Sequence, residues 1–277
     1  MIKAIFFDVD GTLLSHTTKS ISQDTVQALR ILQDQGIMIF MATGRHSTEL
    51  KKLPVHDIRF DGYITLNGQL CLDNRGNVIY GAPFNESITD KLLSAFCERR
   101  YPLALVEADR IYINYVNNTV RKAQQSISTP VPEISTYKGG QIYQATAFLT
   151  RQEETEAEKF IPSGCRFARW CDNGVDIISE RGGKVDGIKY FCDLYGIDSN
   201  EIMAFGDAEN DIDMLKTAEI GVAMGNAVEC VRKCADYVTS DVDNGGIVKA
   251  LRYFHLIYGD KLQANANCLY RREKEEM

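Results

Sequence analysis

Two groups of strand-helix-strand patterns, one near each end of the chain, most strongly restrict the fold. Lys3 to Phe7 forms a short apolar run that ends at Asp8. A helical pattern follows, with Ser22 as its N-cap and Gly36 at its end, and Ile37 to Met41 is a second unbroken apolar run. Strands that are apolar on both faces are typical of parallel sheets covered by helices. The order strand, helix, strand therefore predicts an α/β sheet.

The same alternation returns in the last third of the chain. The predicted elements are a helix at Val185 to Tyr195, a strand at Ile202 to Phe205, a helix at Asp211 to Lys216, a strand at Ile220 to Ala223, a helix near Val228 to Cys234, a strand at Tyr237-Val238 and a helix from Ile247 onward. Both ends of the chain are therefore expected to contribute to one sheet.

Between these parts the pattern changes to alternating or β-rich segments separated by helices. Strands are predicted at 103–106, 110–115, 141–149 and 166–170, and helices at 87–100, 118–126 and 153–160. We therefore predict two domains, a core of residues 1–82 and 183–277 and an α+β insert of residues 83–182. Pro83 and Gly182-Gly183 are the expected hinges.

Charge and composition restrict the partners of the chain. Its 277 residues carry a formal net charge of -7, and its Lys and Arg residues are scattered, so a nucleic-acid partner is not expected. An acidic protein that binds an anionic substrate needs a local positive charge, which favours a bound cation. No apolar run reaches the length of a membrane span, so no membrane partner is expected. The eight cysteines form no CxxC pair, which favours the reducing cytoplasm.

Acidic residues follow two of the predicted strands. Asp8-Val9-Asp10-Gly11-Thr12 comes after the first strand, and Gly206-Asp207-Ala208-Glu209-Asn210-Asp211 follows Ile202 to Phe205. Ligands of open parallel sheets bind at the carboxyl ends of the strands, so these acids should meet at one edge. Carboxylates placed so close together repel one another unless a cation lies between them. Oxygen ligands alone suit Mg²⁺.

Hydrogen-bond donors occur at comparable places. Thr43-Gly44-Arg45 follows the second strand, and Lys184 begins a helix. A hydroxyl, backbone amides and an ammonium are the donors that stabilise a transferring phosphoryl group.

These four segments, in this order, resemble the four motifs of the haloacid dehalogenase-like superfamily. The insert, together with Gly221 to Ala227 and Asp243 to Ile247, is similar to the large α/β cap and the downstream motifs of subclass IIB. The resemblance implies a Rossmann-like parallel-sheet core with an inserted α+β cap. It also implies a phosphoric monoester hydrolase that acts on small phosphate esters, in this subclass mostly sugar phosphates.

The resemblance also implies roles for the motif residues. Asp8 would attack phosphorus and form an aspartyl phosphate, and Asp10 would be the general acid and base. Mg²⁺ would be held by Asp8, the Asp10 carbonyl and Asp207, with support from Asp211. Thr43 and Lys184 would bind the phosphoryl oxygens and offset their charge.

Substrate contacts are expected from a further set of residues near these motifs. They are Gly44, Arg45, Asn67, Gly68 and Asn210. Arg45 could equally form a structural ion pair. Gln69 and His46 depart from the usual alanine and proline of the subclass, which affects the details of substrate contact. The aromatic residues Tyr112, Tyr143, Phe148 and Trp170 are predicted to form the core of the insert.

Two other functions use the same residues. A phosphotransferase or mutase would pass the aspartyl phosphate to a sugar hydroxyl instead of water. A non-catalytic module could accept phosphate on Asp8 as a switch, although such a module would leave the hundred-residue insert unexplained. The sequence names neither the substrate nor the oligomeric state, and a monomer is compatible with it.

Overall fold

The computed structural model describes residues 1–127, 129–157, 161–180 and 182–258. Cys268 and the end of the predicted core, residues 259–277, lie outside these ranges. The strands, in chain order, are β1 (Ala4–Phe7), β2 (Met38–Ala42), β3 (Gly62–Thr65), β4 (Leu70–Asp73), β5 (Val78–Gly81), β6 (Leu103–Val106), β7 (Ile111–Ile113), β8 (Glu133–Ile134), β9 (Gln144–Ala147), β10 (Cys165–Cys171), β11 (Gly174–Ser179), β12 (Ile202–Gly206), β13 (Ile220–Ala223) and β14 (Tyr237–Val238).

Helices connect these strands. They are α1 (Gln23–Asp34), α2 (Ser47–Leu50), α3 (Glu86–Cys97), α4 (Asn118–Ser126), α5 (Arg151–Ala157), α6 (Lys184–Tyr195), α7 (Ile212–Thr217), α8 (Glu229–Arg232) and α9 (Gly246–Tyr253). The N-cap of α1 is Ser22, whose side chain accepts a hydrogen bond from the Thr25 amide, as the sequence pattern predicts.

The first sheet, here called the core sheet, has the strand order β14-β13-β12-β1-β2-β3-β4-β5. The pairs from β14 to β3 are parallel, and β4 and β5 continue the sheet antiparallel. Side chains alternate between its two faces: Ile5 and Phe7 pack on the face with α1 and α9, and Ala4 and Phe6 on the face with α6 and α7. Both faces are therefore buried, which confirms the predicted α/β core.

The second sheet, here called the cap sheet, has the order β10-β11-β9-β6-β7-β8 and is antiparallel except for β7 and β8. One face packs on α3 through residues such as Leu103, Leu105 and Ala145. The alternate residues of the same strands, including Ala104 and Val106, point to the opposite face. All six strands come from the chain between β5 and α6, so the structure contains the inserted α+β layer that the sequence pattern predicts.

Two further sequence features can be compared with the structure. Seven of the eight cysteines lie within the described ranges, and each is an unpaired thiol. Of the helices in those ranges, none combines the length and the apolar character that a membrane span requires.

We predict that Phe191→Ala strongly destabilises the core. Phe191 on α6 is fully buried, and its ring centroid lies 4.7 Å from that of Phe40 on β2. Truncation leaves a cavity beneath the sheet and should cost about 3–5 kcal/mol of unfolding free energy. Leu194→Ala on the same helix is the matched control, because Leu194 is 53% exposed and its loss should change stability by about 0.5 kcal/mol or less. Urea unfolding followed by circular dichroism measures both, and equal midpoints for the two variants would contradict this account of the core.

Candidate active site

Three neighbouring strands deliver the predicted site residues to one edge of the core sheet. Asp8 follows β1, Thr43 follows β2, and Asp207 follows β12. Since β12, β1 and β2 are adjacent and parallel, their carboxyl ends lie side by side. The helix α6 begins at the same edge with Lys184. The order of the strands therefore brings together residues that are nearly 200 positions apart.

Three carboxylates and one ammonium form the centre of the site. One oxygen each of Asp8, Asp207 and Asp211 lies within 4.8 Å of the others. The Lys184 ammonium donates to Asp8 Oδ1 at 2.5 Å and to Asp211 Oδ1 at 2.6 Å. All four side chains are buried, so the group as a whole has two more negative than positive charges away from water.

This excess negative charge affects the titration of the site. Burial, followed by repulsion from Asp211, raises the pKa of Asp8 to about 7. Burial and the charge of Asp8 also raise the pKa of Asp207. Burial alone would lower the pKa of Lys184, but attraction to Asp211 and Asp8 outweighs it, and the pKa is raised. A divalent cation would balance the two excess negative charges. The candidate ligand atoms are all carboxylate oxygens, so these residues fit a hard divalent metal.

The carboxylates have different surroundings. Asp211 Oδ2 accepts the backbone N–H groups of Asp207 and Ala208, both at 3.0 Å, so Asp211 holds the loop after β12 in place. Asp207 Oδ1 accepts from the Thr12 hydroxyl at 3.0 Å. Within the described part of the chain, no donor reaches Asp8 Oδ2. Asp8 therefore has one oxygen fixed by Lys184 and a second oxygen available for reaction.

The turn after β1 requires glycine. Gly11 has φ +87°, and a Cβ atom there would lie 2.3 Å from Asp207 Oδ2. The Asn226 amide donates to the Gly11 carbonyl at 2.9 Å and to Asp207 Oδ2 at 3.3 Å. A side chain at position 11 would therefore be strained and would also displace a carboxylate of the site.

Asp10 forms a bidentate ion pair with Arg45. Arg45 Nε donates to Asp10 Oδ2 at 2.6 Å, and a terminal nitrogen donates to Oδ1 at 2.7 Å. The same guanidinium also donates to the Thr129 hydroxyl at 2.8 Å and to the Ile127 carbonyl at 2.9 Å. Of the two possibilities that the sequence left open for Arg45, the structure shows the ion pair, and it adds a link to the segment after α4.

Asn67 joins the core sheet to the cap sheet. Its φ of +51° lies in the left-handed region, and its amide nitrogen donates to Gln144 Oε1 at 3.0 Å and to Asp176 Oδ2 at 2.8 Å. Its oxygen accepts from Asn210 at 3.0 Å. The Thr146 hydroxyl donates to the other Asp176 oxygen at 2.8 Å. Burial raises the pKa of Asp176 to about 7, although these donors oppose the shift.

A cavity with about 910 Å³ of space free of protein atoms, part of it open to solvent, lies between the two sheets. Its floor includes Asp8, Asp10, Thr43 and Asp207, and its roof is the face of the cap sheet opposite α3. Its lining combines carboxylates on the floor with apolar side chains on the roof, which suits a small molecule whose one end contacts the carboxylates.

The structure brings most of the predicted site residues to this cavity. Among those that line it are the predicted substrate contacts Gly44, Arg45 and Asn210. Lys184 and Asp211 are buried beside Asp8, and Gly68 packs against Gly183, where a Cβ atom at position 68 would come within 2.0 Å of the Gly183 carbonyl oxygen. Phe148 and Trp170 also line the cavity, so the prediction that they belong only to the core of the insert is too simple.

Several residues of the site were not singled out from the sequence. They include Asn226, Thr129, Gln144, Thr146 and Asp176. Asn226 lies in the Gly221 to Ala227 stretch that resembles a subclass motif. The others lie in the insert, where their types are common surface residues and no spacing distinguishes them.

Comparisons with known proteins agree with this geometry. The family model of the haloacid dehalogenase-like hydrolases matches residues 5–251. YkrA of Bacillus subtilis (strain 168), named as a candidate phosphatase, is 33% identical over 258 residues, which cover 92% of this chain and 98% of YkrA.

Two solved structures are similar over nearly the whole chain. One is BT1666 of Bacteroides thetaiotaomicron, described among phosphatases of this superfamily, with a TM-score of 0.84, 36% identity and coverage of 93% and 96% of the two chains. The other is BT4131, described as a subclass IIB sugar phosphatase, with a TM-score of 0.82, 37% identity and coverage of 92% and 100%. With the family model spanning both halves of the core sheet, this chain belongs to the haloacid dehalogenase-like hydrolases and is a phosphatase.

Proposed function

We propose that this phosphatase hydrolyses small phosphorylated metabolites, sugar phosphates in particular, with Mg²⁺ and through an aspartyl phosphate on Asp8. The proposal rests on the contacts and the surroundings of the Asp8 carboxylate. One of its oxygens is fixed by Lys184, and the residue lines a cavity beside two further buried carboxylates. Such an arrangement suits a nucleophile that must approach an anionic phosphoryl group.

In the first step, Asp8 Oδ2 attacks phosphorus and the bond between phosphorus and the leaving oxygen breaks. The leaving oxygen takes a proton from Asp10, and the leaving group is released as an alcohol. Arg45 donates to both Asp10 oxygens in the structure, so Asp10 takes up a proton and gives up one of these hydrogen bonds before it acts as the acid. In this step Asp8 becomes an acyl phosphate.

In the second step, water attacks the same phosphorus and the bond between phosphorus and Asp8 breaks. Asp10 accepts a proton from the water, inorganic phosphate forms, and both aspartates return to their starting states. Lys184 and Asp211 keep Asp8 in place through both steps, because the Lys184 ammonium contacts both carboxylates.

Asp8 and Asp207 would hold Mg²⁺ together with the Asp10 carbonyl. The metal would supply charge neutralisation between the carboxylates and the phosphoryl oxygens. Asp211 would support it from outside, because its own oxygens already accept from Lys184 and two backbone amides. Thr12 and Asn226 would orient Asp207 for this purpose.

The remaining predicted residues have roles that their positions support. We propose that Thr43 and the backbone of Gly44 donate to the phosphoryl oxygens, since both line the cavity beside Asp8. Asn67, held by Gln144 and Asp176, and Asn210 would shape the substrate side of the site, with Gly68 allowing the tight turn at the hinge. Arg45 would contact the substrate while it also remains close to Asp10.

We also propose that residues 1–82 and 183–277 form the hydrolase domain and residues 83–182 a cap that selects the substrate. The cap sheet roofs the cavity, and within the described ranges the chain passes between the sheets at the segments before α3 and before α6. The name of BT4131 as a sugar phosphatase supports the substrate class. We place the activity in the cytoplasm, where unpaired thiols such as the seven described here remain reduced.

We predict that Asp8→Asn lowers kcat for phosphate release from a panel of sugar phosphates by at least about 10⁴-fold, because the amide cannot act as the nucleophile. Asp213→Asn is the matched control, since Asp213 is an exposed carboxylate on the neighbouring helix α7 and should retain kcat. Circular dichroism checks the fold of both variants. Near-normal phosphate release by Asp8→Asn would rule out the proposed nucleophile, and transfer of phosphate to added sugar with little free phosphate would indicate a transferase.

We predict that metal removal abolishes activity and that Mg²⁺ both restores it and stabilises the protein. Because the cation relieves repulsion among three buried carboxylates, saturating Mg²⁺ should raise Tm of the metal-free wild type. Asp207→Asn should lose most of this Tm increase, whereas Asp213→Asn should keep it. An equal Mg²⁺-induced Tm shift in Asp207→Asn and wild type would place the metal elsewhere.

A further inference from the structure

The roof of the cavity contains few polar groups, and most of them are already paired. Gln144 accepts from Asn67, and Thr146 donates to Asp176, which also accepts from Asn67. The two bonds from Asn67 attach the cap sheet to the segment after β3, and the Thr146–Asp176 bond lies within the cap sheet, so these polar atoms are already used. The surrounding wall is apolar and includes Ala104, Val106, Ile111 and Phe148.

Gln124 on α4 is different. It lines the same cavity and is only 7% exposed. Its side-chain oxygen is buried and has no hydrogen-bond partner among the residues that the structure describes. A buried amide oxygen without a donor costs free energy, so such a group usually has a partner that is supplied by something else. The buried residues beside Gln124 on α4, Val120 and Ala123, have apolar side chains and offer no donor.

We propose that Gln124 is a specificity residue that binds a hydroxyl group of the leaving alcohol, on the side of the cavity away from Asp8. This inference rests on the proposed function, because it assumes that the phosphoryl group is held at the carboxylates. With the phosphoryl end on the floor, the rest of the ester must extend towards the roof, where Gln124 has the free hydrogen-bonding capacity.

A hydroxyl group fits this position better than other ligand groups. It can donate to the Gln124 carbonyl oxygen and can also accept from the amide nitrogen, so it satisfies whichever end of the amide faces the cavity. A carboxylate or a second phosphate would bring negative charge against an apolar wall, and the arginine of the lining, Arg45, is already paired with Asp10. The apolar atoms of Phe148 and Trp170 can at the same time cover the carbon skeleton of a polyhydroxylated ester.

The test compares Gln124→Met with Gln125→Met. Gln125 is the next residue of α4, is exposed, and receives the same substitution, so it is a matched control. The probes are glucose 6-phosphate, ribose 5-phosphate and glycerol 3-phosphate, which carry hydroxyls, and p-nitrophenyl phosphate, whose leaving group carries no other hydroxyl. The readout is kcat/KM for the best hydroxylated ester divided by kcat/KM for p-nitrophenyl phosphate.

We expect this ratio to fall about 10- to 100-fold in Gln124→Met, as for the loss of one buried hydrogen bond to substrate, and to change less than about twofold in Gln125→Met. An unchanged ratio in Gln124→Met would overturn the proposal. Wild-type enzyme that hydrolyses p-nitrophenyl phosphate but none of the hydroxylated esters would also overturn it. Absence of phosphate release from every probe would instead overturn the proposed function itself.

A second measurement separates substrate binding from a structural role. Methionine has a similar volume and no unpaired acceptor, so the unliganded Gln124→Met variant should have a Tm equal to or above that of the wild type. A Tm several degrees below wild type would show that Gln124 stabilises the fold, and the proposal would then be wrong.

Discussion

The contact of the Lys184 ammonium with Asp8 and Asp211 is the interaction on which the site depends. Removing one charge from such a buried group leaves its partners uncompensated, which costs several kcal/mol. The backbone amides on Asp211, the Thr12 hydroxyl on Asp207 and the absence of a side chain at Gly11 all serve to hold carboxylates that would otherwise repel one another. The same repulsion suits the site to a divalent cation, whose charge would balance the two excess negative charges.

The core sheet makes this arrangement possible because its strands cannot carry charges along their length. Each central strand is buried on both faces, so acids and hydroxyls are tolerated only where the strands end. The pairing of β12 with β1 and of β1 with β2 then places these ends next to one another. The insert adds the second wall, and the cavity lies where α4 leaves part of that face of the cap sheet uncovered.

The sequence was sufficient to predict the core, the charged centre and most strands and helices of the insert, and insufficient for the contacts that the insert makes with the site. Asp8, Thr43, Asp207 and Lys184 could be found because each lies at a junction that apolar runs define on both sides. The strands β3 to β5 were not predicted, because four-residue segments with the partly exposed pattern of β5 carry little periodic signal. Gln124 could not be found, because its importance lies in a missing partner, which only the packing of α4 reveals.

The loop after β2 contacts both Asp10 and the insert. Arg45 binds Asp10 and also the Ile127 carbonyl and the Thr129 hydroxyl beyond α4. The next residue, His46, also lines the cavity, and its Nε2 donates to the carbonyls of Glu107 and Ala108, while burial lowers its pKa. Under the proposed function, a cap that moved away would break the Arg45 contacts with the segment after α4, so the position of Asp10 would be coupled to the presence of the roof. The proposed acid and base would then be fully positioned only when the cavity is closed to bulk water, which would favour attack by one bound water over uncontrolled hydrolysis.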